Sequence, residues 1–473
     1  MPTVKVPIFG SVYKGVDGIE LNDDSHTLVD GYRTLKGGTT GRPGSSALFT
    51  ASTATGFGFD GLFYWAEKDA VMGVGAGEVY QLTDNSNTPY ITPLTAGTPL
   101  LNQGSPVSMT VDGTNFYACN GGRIVYTPLN GTPAYITAAG APTNATHVDF
   151  LDGYILAING SNTWYWSDVN AGSSWTALNF ASAAGSPDLL TSLKVFNREI
   201  YLFGQRSVEV WENDATTPFS RIPGGMIQTG CSAPYAVFSD ENSLYWLDDN
   251  RRLVRFAGKS IERLSTKFDR ELQGLSKVSD GVAFKMQIDG YVFFIFTFKD
   301  ADRTLVYNQT TDDWCEWGRW MYADAAYERW LGNSYCFAER WGTHLVGRRD
   351  KLIVSELSKN YHTDDSDITR LYRLTGHIDY GTSKIKQSNE LRFRVKRGSG
   401  LSTGTPKLML RYKIDNRDWS NIKEFSLGNV GEYDIIVRDL RRKQFRTIQY
   451  EFSATDAVDL VFSEAEEDIE VLR

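Results

Sequence analysis

The chain has 473 residues, 41% hydrophobic and 22% charged, with a formal charge of −9. That balance suits a soluble globular protein of two or three domains, and it excludes a chain that wraps DNA by counterion release. Repulsion would still let DNA slide past an acidic wall, although most soluble acidic proteins are simply acidic.

Aromatic residues make up 13% of the chain and recur beside Val, Ile and Thr, a composition that favours strands. Cys119, Cys231, Cys315 and Cys336 show no CxxC spacing, so neither a zinc site nor a redox dithiol is signalled and buried free thiols are expected. The opening MPTVKVPIFGSVYKG has no long apolar core of a secretory signal. No apolar run is long enough to span a membrane.

Residues 1–50 are polar and Gly-rich, as in LKGGTTGRPGSS (35–46), and read as an extended N-terminal arm with turns. From 51 to 360 short apolar runs alternate with turns. The turns fall near Asp60-Gly61, Asp112-Gly113, Asp152-Gly153, Phe196-Asn197, Asp240-Glu241, Asp289-Gly290 and Trp341-Gly342. Their spacing of roughly 40–52 residues matches propeller blades. Units such as LDGYILAINGSNTWYWSDV (151–169) and FNREIYLFGQRSVEVWEND (196–214) show the pattern. The sequence therefore predicts a β-propeller-like domain of about seven blades, with a two-sheet sandwich as the rival. Small antiparallel sheets cannot bury both faces alone, and radial stacking buries them. One helix is expected in TKFDRELQGL (266–275), from the spacing of Phe268, Leu272 and Leu275.

Residues 358–370 (SKNYHTDDSDITR) are polar and read as a linker or long loop. Residues 370–473 read as a second all-β domain, sandwich-like, with strands near 371–380, 390–397, 406–414, 422–427, 433–439, 444–452 and 457–462. The acidic tail EAEEDIE (464–470) is expected to fray.

No hydrolase, P-loop or dinucleotide motif is present. His26, His147, His344, His362 and His377 have no ligand-like spacing, so no metal or cofactor is expected. Asp60, Asp112, Asp152, Asp240 and Asp289 are the carboxylates a propeller glycosidase would draw on. Their shared position in the repeat favours a turn-forming role, because Asp bonds its own backbone there. IDNRDWS (414–420) likewise says only turn.

Cations cluster in the last domain. In LRFRVKRG, Arg392, Arg394 and Lys396 alternate with Leu391, Phe393 and Val395 and so share a strand face. RDLRRKQFR adds Arg438, Arg441, Arg442 and Arg446. These residues fit a solvated face paired with nearby acids, a protein interface, or phosphate contacts.

The same domain resembles the end of the packaged-DNA stabilisation, or tail-hub (nozzle), proteins of short-tailed phages. The matching pieces are Arg411-Tyr412, Trp419, Ser426-Leu427-Gly428, Gly431-Glu432-Tyr433, Arg438 to Arg446 and Asp456-Ala457-Val458. The family's DPV is DAV here, and its Trp before the arginine run is absent. Residues 191–238, with the turn Gly230 to Ala233, resemble the family's middle. GYRTLKGGTTGRPGS is similar to its opening arm.

The resemblance implies a non-enzymatic virion protein of the tail, made in the host bacterial cytoplasm. It implies a homo-oligomer, a hexameric ring below the portal and its adaptor ring, that continues the channel for double-stranded DNA. Its partners would be that adaptor, the tail needle or tip, and the tailspikes or fibres. The alternative reading is a propeller that binds glycans or depolymerises polysaccharide, which needs two converging carboxylates. A kelch-like interaction propeller is disfavoured by the added C-terminal domain.

Overall fold

A four-stranded sheet of Val, Ile, Tyr, Phe and Trp runs has two apolar faces and cannot shield either alone. In the computed structural model such sheets stand side by side around an axis. The structure describes residues 3–5 and 27–472, apart from 85–87, 96, 216–217, 259, 265–267, 401–404, 416, 430–431 and 433. Five four-stranded meanders occupy residues 59–93, 108–135, 147–182, 190–227 and 238–263. The sixth blade runs from Val282–Ile288 to Asp313–Met321. The seventh takes Gly332–Ala338, Thr343–Arg348 and Leu352–Ser358, and borrows its outer strand, Gly44–Ser52, from the N-terminal region. Its innermost strand packs on that of blade 1, where Asn333 Nδ2 and Ser334 Oγ donate to the Phe59 carbonyl at 3.1 and 3.0 Å. Among the described residues seven blades close the circle.

The cores lie between blades. Trp164 and Trp166 of blade 3 pack with Ile200, Leu202 and Phe219 of blade 4. Blades 1 and 2 share Met72, Val74, Phe116 and Val125, and blades 4 and 5 share Phe203, Val210 and Trp246. Truncating a fully buried aromatic such as Trp164 would cost about 3–5 kcal/mol.

Hairpin turns inside the blades need left-handed backbone. Asp152-Gly153 (φ 47° and 88°) and Asp289-Gly290 (φ 50° and 79°) supply it in the geometry that matches strand twist. Asp60-Gly61 departs from its expected role. It sits within the strand Phe59–Trp65, at a bulge, and the blade 1 turn falls at 66–69 instead, where Asp69 has φ 49°. The helix is present as Phe268–Gly274, with Leu272 and Leu275 buried under blades 5 and 6.

The N-terminal arm expected over 1–50 is, in its described part, built into sheets. Thr27–Val29 runs between blade 6 and Leu371–Leu374. The hairpin of Gly31–Arg33 and Thr39–Gly41 joins Val458–Val471, and Thr3–Lys5 joins the same strand further along. Local pattern could not reveal this, because apart from that hairpin's own pairing every partner lies hundreds of residues away.

Residues 358–370 differ from a free linker as well. Arg348 gathers Asp365 (2.5 Å), Asp350 (2.8 Å) and Asp367 (3.3 Å), and Arg319 also holds Asp367 at 2.8 Å. Arg42 is buried between Asp30 (2.6 Å) and Asp364 (2.5 Å), with its guanidinium 5.9 Å from the Trp317 ring and 5.7 Å from Trp330.

Two sheets face each other in the C-terminal region, as a sandwich does. One carries Lys386–Gly400, Asp434–Phe445 and Val458–Val471; the other carries Lys407–Ile414 and Ile448–Ala454. Phe393, Phe452 and Phe462 meet between them, with Phe452 and Phe462 centroids 5.3 Å apart. The second sheet is continuous with blade 6 through Thr27–Val29 and Leu371–Leu374. The acidic tail does not fray: residues 464–470 lie within Val458–Val471, and buried Glu467 accepts from the Tyr450 hydroxyl at 2.8 Å and from Tyr380 and Ser388.

Removing Arg42 would strand two buried carboxylates. Arg42→Ala should lower unfolding free energy by about 3–5 kcal/mol in urea titrations followed by Trp fluorescence. Arg42→Lys should recover only part of it, because a point charge cannot serve both carboxylates through a planar fork.

Candidate interaction surface

Strand alternation places the basic residues. In Lys386–Gly400, Leu391, Phe393 and Val395 are buried, while Arg394 and Lys396 are exposed and Arg392 is half-buried on the opposite face. Arg438 lies directly across from Arg392 on the neighbouring strand Asp434–Phe445. Arg392, Arg394, Lys396 and Arg438 therefore share one outward face. Arg446 stands apart, at the turn beyond that strand, donating to the Ser383 carbonyl at 3.2 Å. The side chains of Arg441 and Arg442 lie outside the described part. Arg397, next in the basic run, turns inward and donates to the Gly428 carbonyl at 2.9 Å.

The face is not uniformly positive. Val458–Val471 sets Glu466 across from Arg392 and Glu464 across from Arg394. Glu390 bonds Arg392 at 2.5 Å and approaches Arg438 at 3.7 Å. The hydrogen bond from Arg392 holds the Glu390 carboxyl below its usual range. A phosphate backbone here would meet carboxylates between the cations. The acidic strand was the part missed in the sequence. Its signal was the alternation of buried Val458, Leu460, Phe462, Ala465, Glu467 and Ile469, interrupted by one bulge.

Ile436 and Leu440 also emerge on this face, and Leu440 is 75% exposed. Among the described residues Asp434–Phe445 has a neighbour on one side only, and so forms an edge of the sheet.

The propeller axis is the other place where function is commonly built. Here neighbouring blades clip its polar groups. Asp149 of blade 3 accepts from the Val195 amide at 2.8 Å and pairs with Lys194 of blade 4 at 3.4 Å. Asp240 of blade 5 pairs with Lys285 of blade 6. Asp60 accepts from the Gly104 amide at 3.0 Å, and burial raises its pKa to about 7. Asp112 binds its own turn and the Tyr117 hydroxyl, and Asp152 pairs with Arg198. Each carboxylate is engaged in turn or blade contacts. No His, Cys, Asp or Glu cluster able to hold a metal occurs among the described residues.

The connection from blade 4 to blade 5 crosses this end of the axis. Tyr235 stacks on His147 of blade 3 (centroids 4.5 Å apart) and bridges Val282 of blade 6. The Pro234 carbonyl accepts from Ser192 Oγ at 2.7 Å and faces His147 Nε2 at 3.2 Å. A carbonyl only accepts, so His147 carries its proton on Nε2. The loop around Gly104 crosses from blades 1 and 2 to blade 6, where Lys299 Nζ donates to the Gly104 carbonyl at 3.3 Å.

The family model described as Phage_stabilise, Bacteriophage P22 Gp10, beta-propeller, matches residues 53–362. No curated protein matches the chain. Among solved structures, the chain is similar to the WD40 β-propeller domain of Doa1, at 14% identity and TM-score 0.43, over 67% of this chain and 97% of that one. It is also similar to the extracellular domain of the putative hybrid two-component system BT4673 of B. thetaiotaomicron, at 11% identity and TM-score 0.46, over 89% and 62%. BamB of Moraxella catarrhalis gives 11% identity and TM-score 0.38, over 73% and 97%.

Burial pushes the His147 pKa down to about 4, below its unfolded value of about 6.5. Its stabilisation is complete above about pH 6.5 and is lost as pH falls towards 4. Hydrogen exchange of the amides of Ser232, Ala233, Tyr235, Ala236 and Val237, corrected for intrinsic rates, should quicken from pH 7 to pH 5. His147→Phe should keep the stacking on Tyr235 and flatten that dependence.

Proposed function

From the membership of this chain in the phage DNA-stabilisation family described by the P22 Gp10 β-propeller, we propose that it is a non-enzymatic subunit of a short phage tail. Several copies, six in our reading, form a ring below the portal and adaptor. The ring continues the DNA channel, retains the packaged genome and passes it at ejection. The adaptor ring, the tail needle or tip, and the tailspikes or fibres are its partners, and the virion tail is its location.

The observation that carries this reading is the family match across the propeller. The crossed axis is in keeping with it. Pro234, Tyr235 and the Gly104 loop lie over one end of the propeller axis, so the DNA path runs between chains. A hub must also hold its shape under the pressure of packaged DNA. Seven sheets with cores between them, closed by a strand from the other end of the chain, suit that load. The charge of −9 suits a wall that DNA passes without sticking.

Electron microscopy of the purified chain, alone and with its adaptor ring, tests the proposal. The expected result is closed rings with a central hole wide enough for duplex DNA. A chain that stays monomeric and never enters tail particles would overturn it.

A further inference from the structure

A ring requires two different surfaces on each chain, one to offer and one to receive. Resting on the ring proposed above, we infer that the edge strand Asp434–Phe445 of one copy docks on the outer edges of blades 1–3 of the next. Three observations lead there.

The first is charge. Between Lys68 and Lys194 the sequence holds one cation, Arg123, against eight carboxylates. Blades 1–3 are therefore almost without Lys or Arg, and Glu78 and Asp84 lie in the strand next to the outer strand of blade 1. The edge strand carries the opposite sign: Arg438 is exposed, and Arg441, Arg442 and Lys443 follow in the same strand. Arg438 meets Glu390 of its own chain only at 3.7 Å, which leaves donors for a partner. The acid beside it in the strand, Asp439, is buried and bonds Lys423 at 2.7 Å.

The second is apolar exposure. The outer strands of blades 1, 2 and 3 each expose one aromatic ring, Tyr90, Tyr135 and Phe180 in turn. Tyr90 is 62% exposed, and Leu178 beside Phe180 is 81% exposed. On the other side, Ile436 and Leu440 flank Arg438 on the same face. Interface centres are depleted of Lys and enriched in aromatics, and their partners pair apolar with apolar. A wall that only faced DNA would have no use for a row of exposed rings.

The third is position. The C-terminal sandwich grows from the outer edge of blade 6. In a seven-blade circle, blades 2 and 3 lie about 150° round from blade 6. The two surfaces are thus on opposite sides of one chain. Such a contact is head-to-tail, and it builds rings rather than isolated pairs.

Two variants test this, each on exposed residues and each checked for an unchanged circular-dichroism melt. Arg438→Glu with Leu440→Glu spoils the offered strand. Leu178→Lys with Phe180→Lys spoils the receiving flank. Each alone should weaken self-association by roughly tenfold or more in sedimentation velocity. Mixed in equal amounts they should form a one-to-one pair and stop, because only one good junction remains. If the parent forms rings and both variants do so equally well, the docking surfaces are wrong while the ring stands. If the parent never associates or enters tails, both readings fall. If the flank variant assembles normally but newly retains a short DNA duplex, blades 1–3 face the channel and the docking inference is overturned.

Discussion

Arg42 takes a full positive charge into the interior, with its side chain almost wholly buried. It is bearable there because Asp30 and Asp364 accept from two of its edges and two tryptophan rings lie within about 6 Å. Asp30 also accepts from the Gly318 amide of blade 6 at 2.9 Å, and Arg42 Nη1 donates to the Pro43 carbonyl at 3.1 Å, just before the strand that completes blade 7. One guanidinium thus joins the N-terminal strands, the sixth blade, the seventh blade and the entry to the C-terminal sandwich. Remove that junction and the propeller has a loose seam, and the sandwich loses its fixed angle to it.

The sheet that runs from blade 6 into the sandwich works in the same direction. Ten strands share it, with Thr27–Val29 as the splice. Hydrogen bonds along a sheet resist bending about the strand axes less than they resist sliding, so the splice fixes the height of the sandwich on the propeller. Arg348 and its three aspartates then hold the connecting segment against blade 7. One continuous sheet thus joins propeller and sandwich, which suits the ring subunit proposed above.

Much of this was legible in the sequence, and the reasons are local. Alternation and Asp-Gly turns marked the blades, because period two and left-handed turn residues are written into neighbouring positions. The helix announced itself by Leu272 and Leu275. What stayed hidden was long-range. LKGGTTGRPGSS has the composition of a loop, yet its Gly44–Ser52 continuation has a partner at Leu352–Ser358. Asp60 looked like one more turn aspartate, but its turn lies further on at Asp69. EAEEDIE had the composition of a frayed end, but Ala465, Glu467 and Ile469 are buried and the segment pairs along Lys386–Gly400. The candidate cations themselves split accordingly. Alternation set Arg392, Arg394 and Lys396 on one strand face, but that Arg438 lies across from Arg392 is a matter of long-range pairing, and Arg446 falls after the strand.

The borrowed outer strand of blade 7 also sets a timetable. Its two halves are about three hundred residues apart, so as the chain leaves the ribosome the first segment must wait, unpaired, until nearly the whole propeller has been made. During that interval the newborn chain carries two unsatisfied sheet edges, open to one another and equally open to a neighbouring nascent chain. Many copies of a virion protein are translated at once in an infected cell. The seam that makes the finished propeller durable is therefore the point at which its synthesis is most exposed to cross-pairing.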